Sequence, residues 1–305
     1  MIKIKRHIIF VPGKNPKPPK QQHLDLLWRT LIEGVQRAEP EIAAELSQHK
    51  DDFSILAWNQ LFYNETKDIS IDLPWIDALI NTHGPSKEDM QEALHWHKKL
   101  SRYLFILTDY IPSLINIMPD LVRETALELN RYFQNRHNVA SEIREMLKQQ
   151  LRPLLASDTR ILLIGHSLGS VIAYDALWEL SQEEKFPGKI DLFLTLGSPL
   201  GMEYVQSRLL GAYNTGVVKY PTNIKHWANL SAVGDITSLD KILHDDFAEM
   251  IELGIIDDIQ DHCHKIYNFY HNEEGLNCHR SYGYLVNPAV GKIIADWWHE
   301  TSIQV

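Results

Sequence analysis

Residues Arg160 to Ser170, Arg-Ile-Leu-Leu-Ile-Gly-His-Ser-Leu-Gly-Ser, limit what this 305-residue chain can fold into. An apolar run enters Gly-x-Ser-x-Gly, and Val171, Ile172, Tyr174, Leu177 and Trp178 follow at helical spacing. A short uninterrupted apolar run suits a strand covered on both faces. Gly165 and Gly169 let the chain turn sharply from strand to helix, which leaves the Ser167 hydroxyl exposed in a strained corner. The helix that follows points its N-terminal N–H groups and positive dipole end to where an oxyanion would form. Strand, sharp turn and helix in that order are the context a nucleophile elbow requires.

The pattern recurs through the chain. Ile8 to Val11 reads as a first strand, and Pro12-Gly13 followed by Asn15 to Lys20 as an extended, proline-rich loop. Leu24, Leu27, Trp28, Leu31, Ile32 and Val35 predict a helix from His23 to about Ala38. Asp52–Trp58 reads as a second strand, Ile190–Leu196 as a fourth after the elbow strand, His226–Ser231 as a fifth and Lys265–Tyr270 as a sixth. Ser181 to Gly188 reads as a charged loop, and Pro288 to about His299 as the closing helix. The expected fold is therefore α/β: a mostly parallel sheet of about six strands with helices on both faces, in one domain over 1–305.

Between the second strand and the elbow lie about ninety residues of helical periodicity and no strand signal. One stripe runs Met90, Leu94, His97, Leu100, Leu104, Leu107; a second runs from Leu121 to Leu151 and is expected to end at Pro153. A single crossover helix suffices here, so residues 74–119 are a candidate helical cap or insertion. The apolar segments 103–107 and 111–118 within it fit a packed core, an acyl-binding lid or a membrane-contacting surface. Asp109, Pro112, Asn116 and Pro119 break the run too often for a transmembrane helix.

Gly-His-Ser-Leu-Gly at 165–169, with Leu194-Thr195-Leu196-Gly197-Ser198-Pro199-Leu200-Gly201, resembles the lipase/esterase branch of the α/β-hydrolase superfamily. The resemblance covers about a quarter of the chain. It implies the α/β-hydrolase fold, with the second strand at an edge beside the first and the elbow strand on the first strand's other side. It also implies a triad in the chain order Ser, acid, His. The acid is expected just past the fifth strand, where Val233-Gly234-Asp235-Ile236-Thr237 supplies Asp235; Asp240 is the fallback, and Asp191 reads as a strand-start residue. The base is expected before the closing helix, where Cys278-His279-Arg280-Ser281-Tyr282-Gly283-Tyr284 supplies His279, with His271 as the alternative. His166, in the x position of the elbow, reads as a residue that packs or that supports the site from behind. The second oxyanion N–H comes from the loop after the first strand; this chain has Pro12-Gly13 instead of His-Gly there, which points to the backbone N–H of Lys14 beside that of Leu168.

The implied activity is a serine hydrolase cleaving a carboxylic ester through an acyl-enzyme. Thioester or amide cleavage and acyl transfer on the same triad stay open, as does a non-catalytic module that binds a lipid or a protein. His262, Cys263, His264, His271, Cys278 and His279 lie close in sequence but form no clean metal-ligand pairs, and no phosphate-binding glycine loop appears. Neither a metal nor an organic cofactor is expected. A formal net charge of −10 without a basic block argues against nucleic acid. Two cysteines and no apolar leader lead to the expectation of a cytoplasmic, uncleaved protein, with an acyl ester as its partner and an open oligomeric state.

Overall fold

The computed structural model describes residues 5–95, 120–235, 237, 238 and 241–299. Asp240 and residues 96–119 of the candidate cap lie outside the described residues. Six strands form one parallel sheet: β1 (Lys5–Val11), β2 (Phe53–Ile55), β3 (Thr159–His166), β4 (Ile190–Leu196), β5 (Ile224–Leu230) and β6 (Asp258–His262), in the order β2-β1-β3-β4-β5-β6. As expected, β2 flanks β1 on one side and the elbow strand flanks it on the other.

The strands are apolar because both faces are covered. Alternate residues enter two separate cores. Ile9, Val11, Ile161, Leu163, Phe193 and Trp227 face one; Ile8, Phe10, Leu162, Ile164, Leu194 and Leu230 face the other. Parallel pairing keeps the layers aligned, with Ile8 opposite Leu162 and Phe10 opposite Ile164.

Helix α1 (Lys20–Ala38) covers the second face, and α2 (Leu73–Asn81) adds Ile76 and Leu79 to that core. Helix α3 (Lys87–Ala93) starts with a capping box, Ser86 and Asp89 each accepting the other's backbone N–H. Helices α4 (Asp120–Gln134), α5 (Val139–Leu155) and α6 (Leu168–Trp178) serve the first face. Helices α7 (Ser281–Leu285) and α8 (Pro288–His299) return to the second. Among the described residues, no helix is long and apolar enough to cross a membrane.

Four local expectations are corrected. Residues 265–270 are irregular, and the sixth strand is Asp258–His262. The apolar character of 265–270 has another cause: Ile266, Phe269 and Tyr270 fill the second core. An edge strand buries less, and in β6 only Ile259 is fully buried, so its sequence reads as loop. The second helical stripe is two helices, parted at 135–138, where Asn135, His137 and Asn138 take φ of 44°, 57° and 61°. Pro153 does not end α5, which continues to Leu155; so close to the helix end, its missing N–H forfeits one bond. The stretch read as a charged loop from Ser181 begins inside a π-helical turn, Glu179–Glu183, that extends α6. A two-residue hairpin, His271–Asn272 with Gly275–Leu276, adds a feature without a clear sequence signal.

Candidate active site

The carboxyl ends of β1, β3, β4 and β5 open onto one rim, and the chain reverses its strand order between β1 and β3. That is where open α/β sheets hold their ligands. Ser167 follows β3 directly, with φ 54° and ψ −130°, and is 2% exposed. A non-glycine residue at such an angle is strained by about 1–3 kcal/mol, and packing must hold it there. Glycine is required on either side. A Cβ on Gly165 would stand 2.6 Å from Ser170 Cα, and one on Gly169 would stand 2.2 Å from the Val11 carbonyl oxygen. Ser170 Oγ donates to the Ser167 carbonyl at 2.6 Å and shares a 2.7 Å bond with Ser198 Oγ, tying the turn to the end of β4.

Asp235 and His279 come from loops 44 residues apart and meet. His279 Nδ1 lies 2.9 Å from Asp235 Oδ2 and 3.1 Å from Oδ1. The carboxylate is buried and takes three further donors: Tyr284 Oη at 2.6 Å, Thr237 Oγ1 at 2.7 Å and the Thr237 N–H at 2.9 Å. Burial alone would push the titration of Asp235 upward. The charge of His279 and these hydrogen bonds outweigh it and hold the carboxyl well below its ordinary range. Asp235 therefore stays ionised, as a group that orients an imidazole must.

His166 is buried and points its Nε2–H at the His279 carbonyl, 2.7 Å away, with the two rings 4.8 Å apart. Burial first, and then the charge of His279, push its titration far below the ordinary histidine range, so it stays neutral. It supports the site from behind: it fastens the histidine loop to the elbow. Among the described residues no hydrogen bond joins Ser167 Oγ to the His279 ring. Thr237 Oγ1 stands 2.5 Å from Nδ1 and 3.2 Å from Nε2, and Thr237 and Ser167 line the same small recess with Lys14, Glu128, Leu129 and Leu168.

The other sequence candidates lie elsewhere. His271 pairs with Asp89 at 3.1 Å in the hairpin. Asp191 holds Arg160 at 3.2 Å and accepts the Ile161 N–H, at the opposite end of the strands. A groove of about 690 Å³ also opens at that far end, between Arg6, His49, Pro153 and Trp298, and shares no lining residue with the Ser167 recess. Among the described residues, no group of three or more His, Cys, Asp or Glu is placed to hold a metal ion. The sequence motifs contain Tyr284, Thr237 and Gly197 but assign none of them a role. A buried tyrosine needs a partner for its hydroxyl, which was the one available signal.

A parallel six-stranded sheet with helices on both faces and a strained serine between strand and helix is an α/β-hydrolase-like arrangement. Residues 135–245 match the family model described as "Putative serine esterase (DUF676)". Over that stretch the chain is similar to the serine-esterase domain of that family; the matched residues include Ser167 and Asp235 and stop before His279. No curated protein and no solved structure gave a match.

Proposed function

We propose that the protein is a serine hydrolase that cleaves a carboxylic ester through Ser167, His279 and Asp235. The observation that carries this reading is the 2.9 Å contact between His279 Nδ1 and a buried, ionised Asp235 on the rim that holds Ser167. With Nδ1 held by the carboxylate, Nε2 is the nitrogen left to serve the serine. Ser167 Oγ attacks the ester carbonyl as its proton passes to Nε2. The oxyanion sits against the N–H of Leu168, first residue of α6, and the N–H of Lys14. Collapse breaks the bond to the leaving oxygen, which takes the proton from Nε2. Water then attacks the acyl-enzyme by the same route and regenerates the serine. Catalytic hydrogen bonds of ligand-free enzymes are commonly long and close on binding, so the gap between Ser167 and His279 is one that substrate must draw shut.

A fluorophosphonate probe tests the reading. Covalent labelling of the wild type and its loss in Ser167→Ala are expected. Folded wild-type protein that takes no label would leave a binding module instead of an enzyme. Leaving group and acyl length depend on the walls of the site. A p-nitrophenyl ester series from acetyl to decanoyl measures them, and a flat response would remove the case for an acyl-binding lid.

A further inference from the structure

The loop after β1 is held by its carbonyl groups. Trp58 Nε1–H donates to Pro12 O at 2.8 Å; Asn59 Nδ2 donates to Gly13 O and to Asn15 O, both at 2.9 Å; Lys17 Nζ donates to Lys14 O at 2.6 Å. Four consecutive carbonyls are thus taken by side-chain donors. The Asn15 N–H in turn donates to Tyr63 Oη at 3.0 Å. Trp58 and Asn59 are 0% and 1% exposed, so these donors are fixed in the interior.

The same loop presses on the nucleophile. A Cβ at Gly13 would lie 2.8 Å from Ser167 Cβ and 2.8 Å from His166 Nδ1, and Lys14 lines the recess at Ser167. The carbonyl of Gly13 and the N–H of Lys14 belong to one planar trans peptide, in which they point in opposite directions. Whatever holds Gly13 O aims the Lys14 N–H the other way. Asn59 is that group. Its Nδ2 uses both protons on the loop, while its own Oδ1 is buried and, among the described residues, has no hydrogen-bond partner. A buried amide whose oxygen goes unmet is a poor choice for stability alone.

We infer that Asn59 is a positioning residue of the oxyanion hole, aiming the Lys14 N–H through its bond to the Gly13 carbonyl. The inference rests on the serine-hydrolase reading above. Its benefit would be felt by charge that develops on the carbonyl oxygen and hardly at all by the neutral substrate.

The test uses the full chain with p-nitrophenyl acetate as substrate and phenylboronic acid as the tetrahedral mimic. Asn59→Ala is expected to lower kcat by roughly 100-fold. KM should stay within about threefold, and inhibition by the boronic acid should weaken about tenfold or more, because the lost interaction belongs to the transition state. Asn59→Ser, which keeps one short donor, should fall between Asn59→Ala and wild type; it carries the test alone if Asn59→Ala does not fold. Loss of kcat below about threefold, or a loss matched by KM with boronic acid inhibition unchanged, overturns the inference. If wild type neither turns over ester nor takes the fluorophosphonate label, the hydrolase reading fails first and this one with it. An active wild type with an equally active Asn59 variant sinks this inference alone.

Discussion

Gly197 stands where Asp235, His279 and Tyr284 converge. It follows β4 with φ 54°, and a Cβ there would lie 2.7 Å from Asp235 Oδ2 and 3.1 Å from both His279 Nδ1 and Tyr284 Oη. Gly197→Ala combines about 1–2 kcal/mol of backbone strain with a methyl group driven into the Asp235–His279 pair. We expect kcat on a short ester to fall roughly 100-fold, since displacements of about 1 Å at reacting groups have effects of that order. Circular dichroism should still report a folded protein; a variant with near-normal kcat would mean the pair does not need its present spacing. A motif and a chain order lead to Ser167, Asp235 and His279, and the structure brings Asp235 and His279 into contact. Neither leads to Tyr284, because its bond to Asp235 spans 49 residues and depends on how a single helical turn, α7, faces the sheet. Nor does any local pattern lead to Asn59, whose partners lie 46 and 44 residues earlier.

Helix α6 carries Ser167 at one end and an unusual carboxyl group in its middle. Asp175 is 1% exposed and accepts the Leu210 N–H and the Tyr132 hydroxyl, both at 2.9 Å. Burial raises its titration from 3.8 to about 6, against the lowering effect of the Leu210 N–H and the Arg144 charge. The folded protein therefore keeps this proton at pH values where the unfolded chain has lost it. Its stabilising contribution is complete below about pH 4 and is lost as pH rises to about 6. Holding the proton over that interval is worth roughly 3 kcal/mol. Urea denaturation of wild type and Asp175→Asn between pH 4 and 7 should show wild type losing about that much relative to the variant, then running parallel. Equal slopes throughout would mean that Asp175 titrates like an exposed carboxyl.

The elements themselves were readable where they are buried on both sides. Strand β4 and helix α8 fall on their expected residues, Ile190–Leu196 and Pro288–His299, because apolar runs and helical stripes report directly on the core. Reading fails where burial and strand geometry part company. Strand β6 has one fully buried residue, while the irregular segment 265–270 has several, so hydrophobicity points to the wrong one of the two. The break between α4 and α5 was written in Asn135 and Asn138, residues that tolerate a left-handed backbone, but the apolar spacing runs on across them.

For the molecule as a whole, the sheet separates two cores that share few side chains. Leu147 of α5 and Ile294 of α8 are both 0% exposed, one on each side. Truncating either to alanine should cost about 2–5 kcal/mol. Because the two positions lie in different cores, the double variant should equal the sum within about 0.5 kcal/mol in chemical denaturation. A coupling well above that would mean that strain crosses the strands. The same partition bears on the chemistry. Ser167 stands at the start of α6 in one compartment, whereas Tyr284, which donates to Asp235, belongs to α7 in the other. Softening of either compartment would let Ser167 drift against the Asp235–Tyr284 pair while each side stays internally ordered. On the proposed hydrolase reading, turnover should then fade ahead of the loss of the fold, from whichever flank yields first.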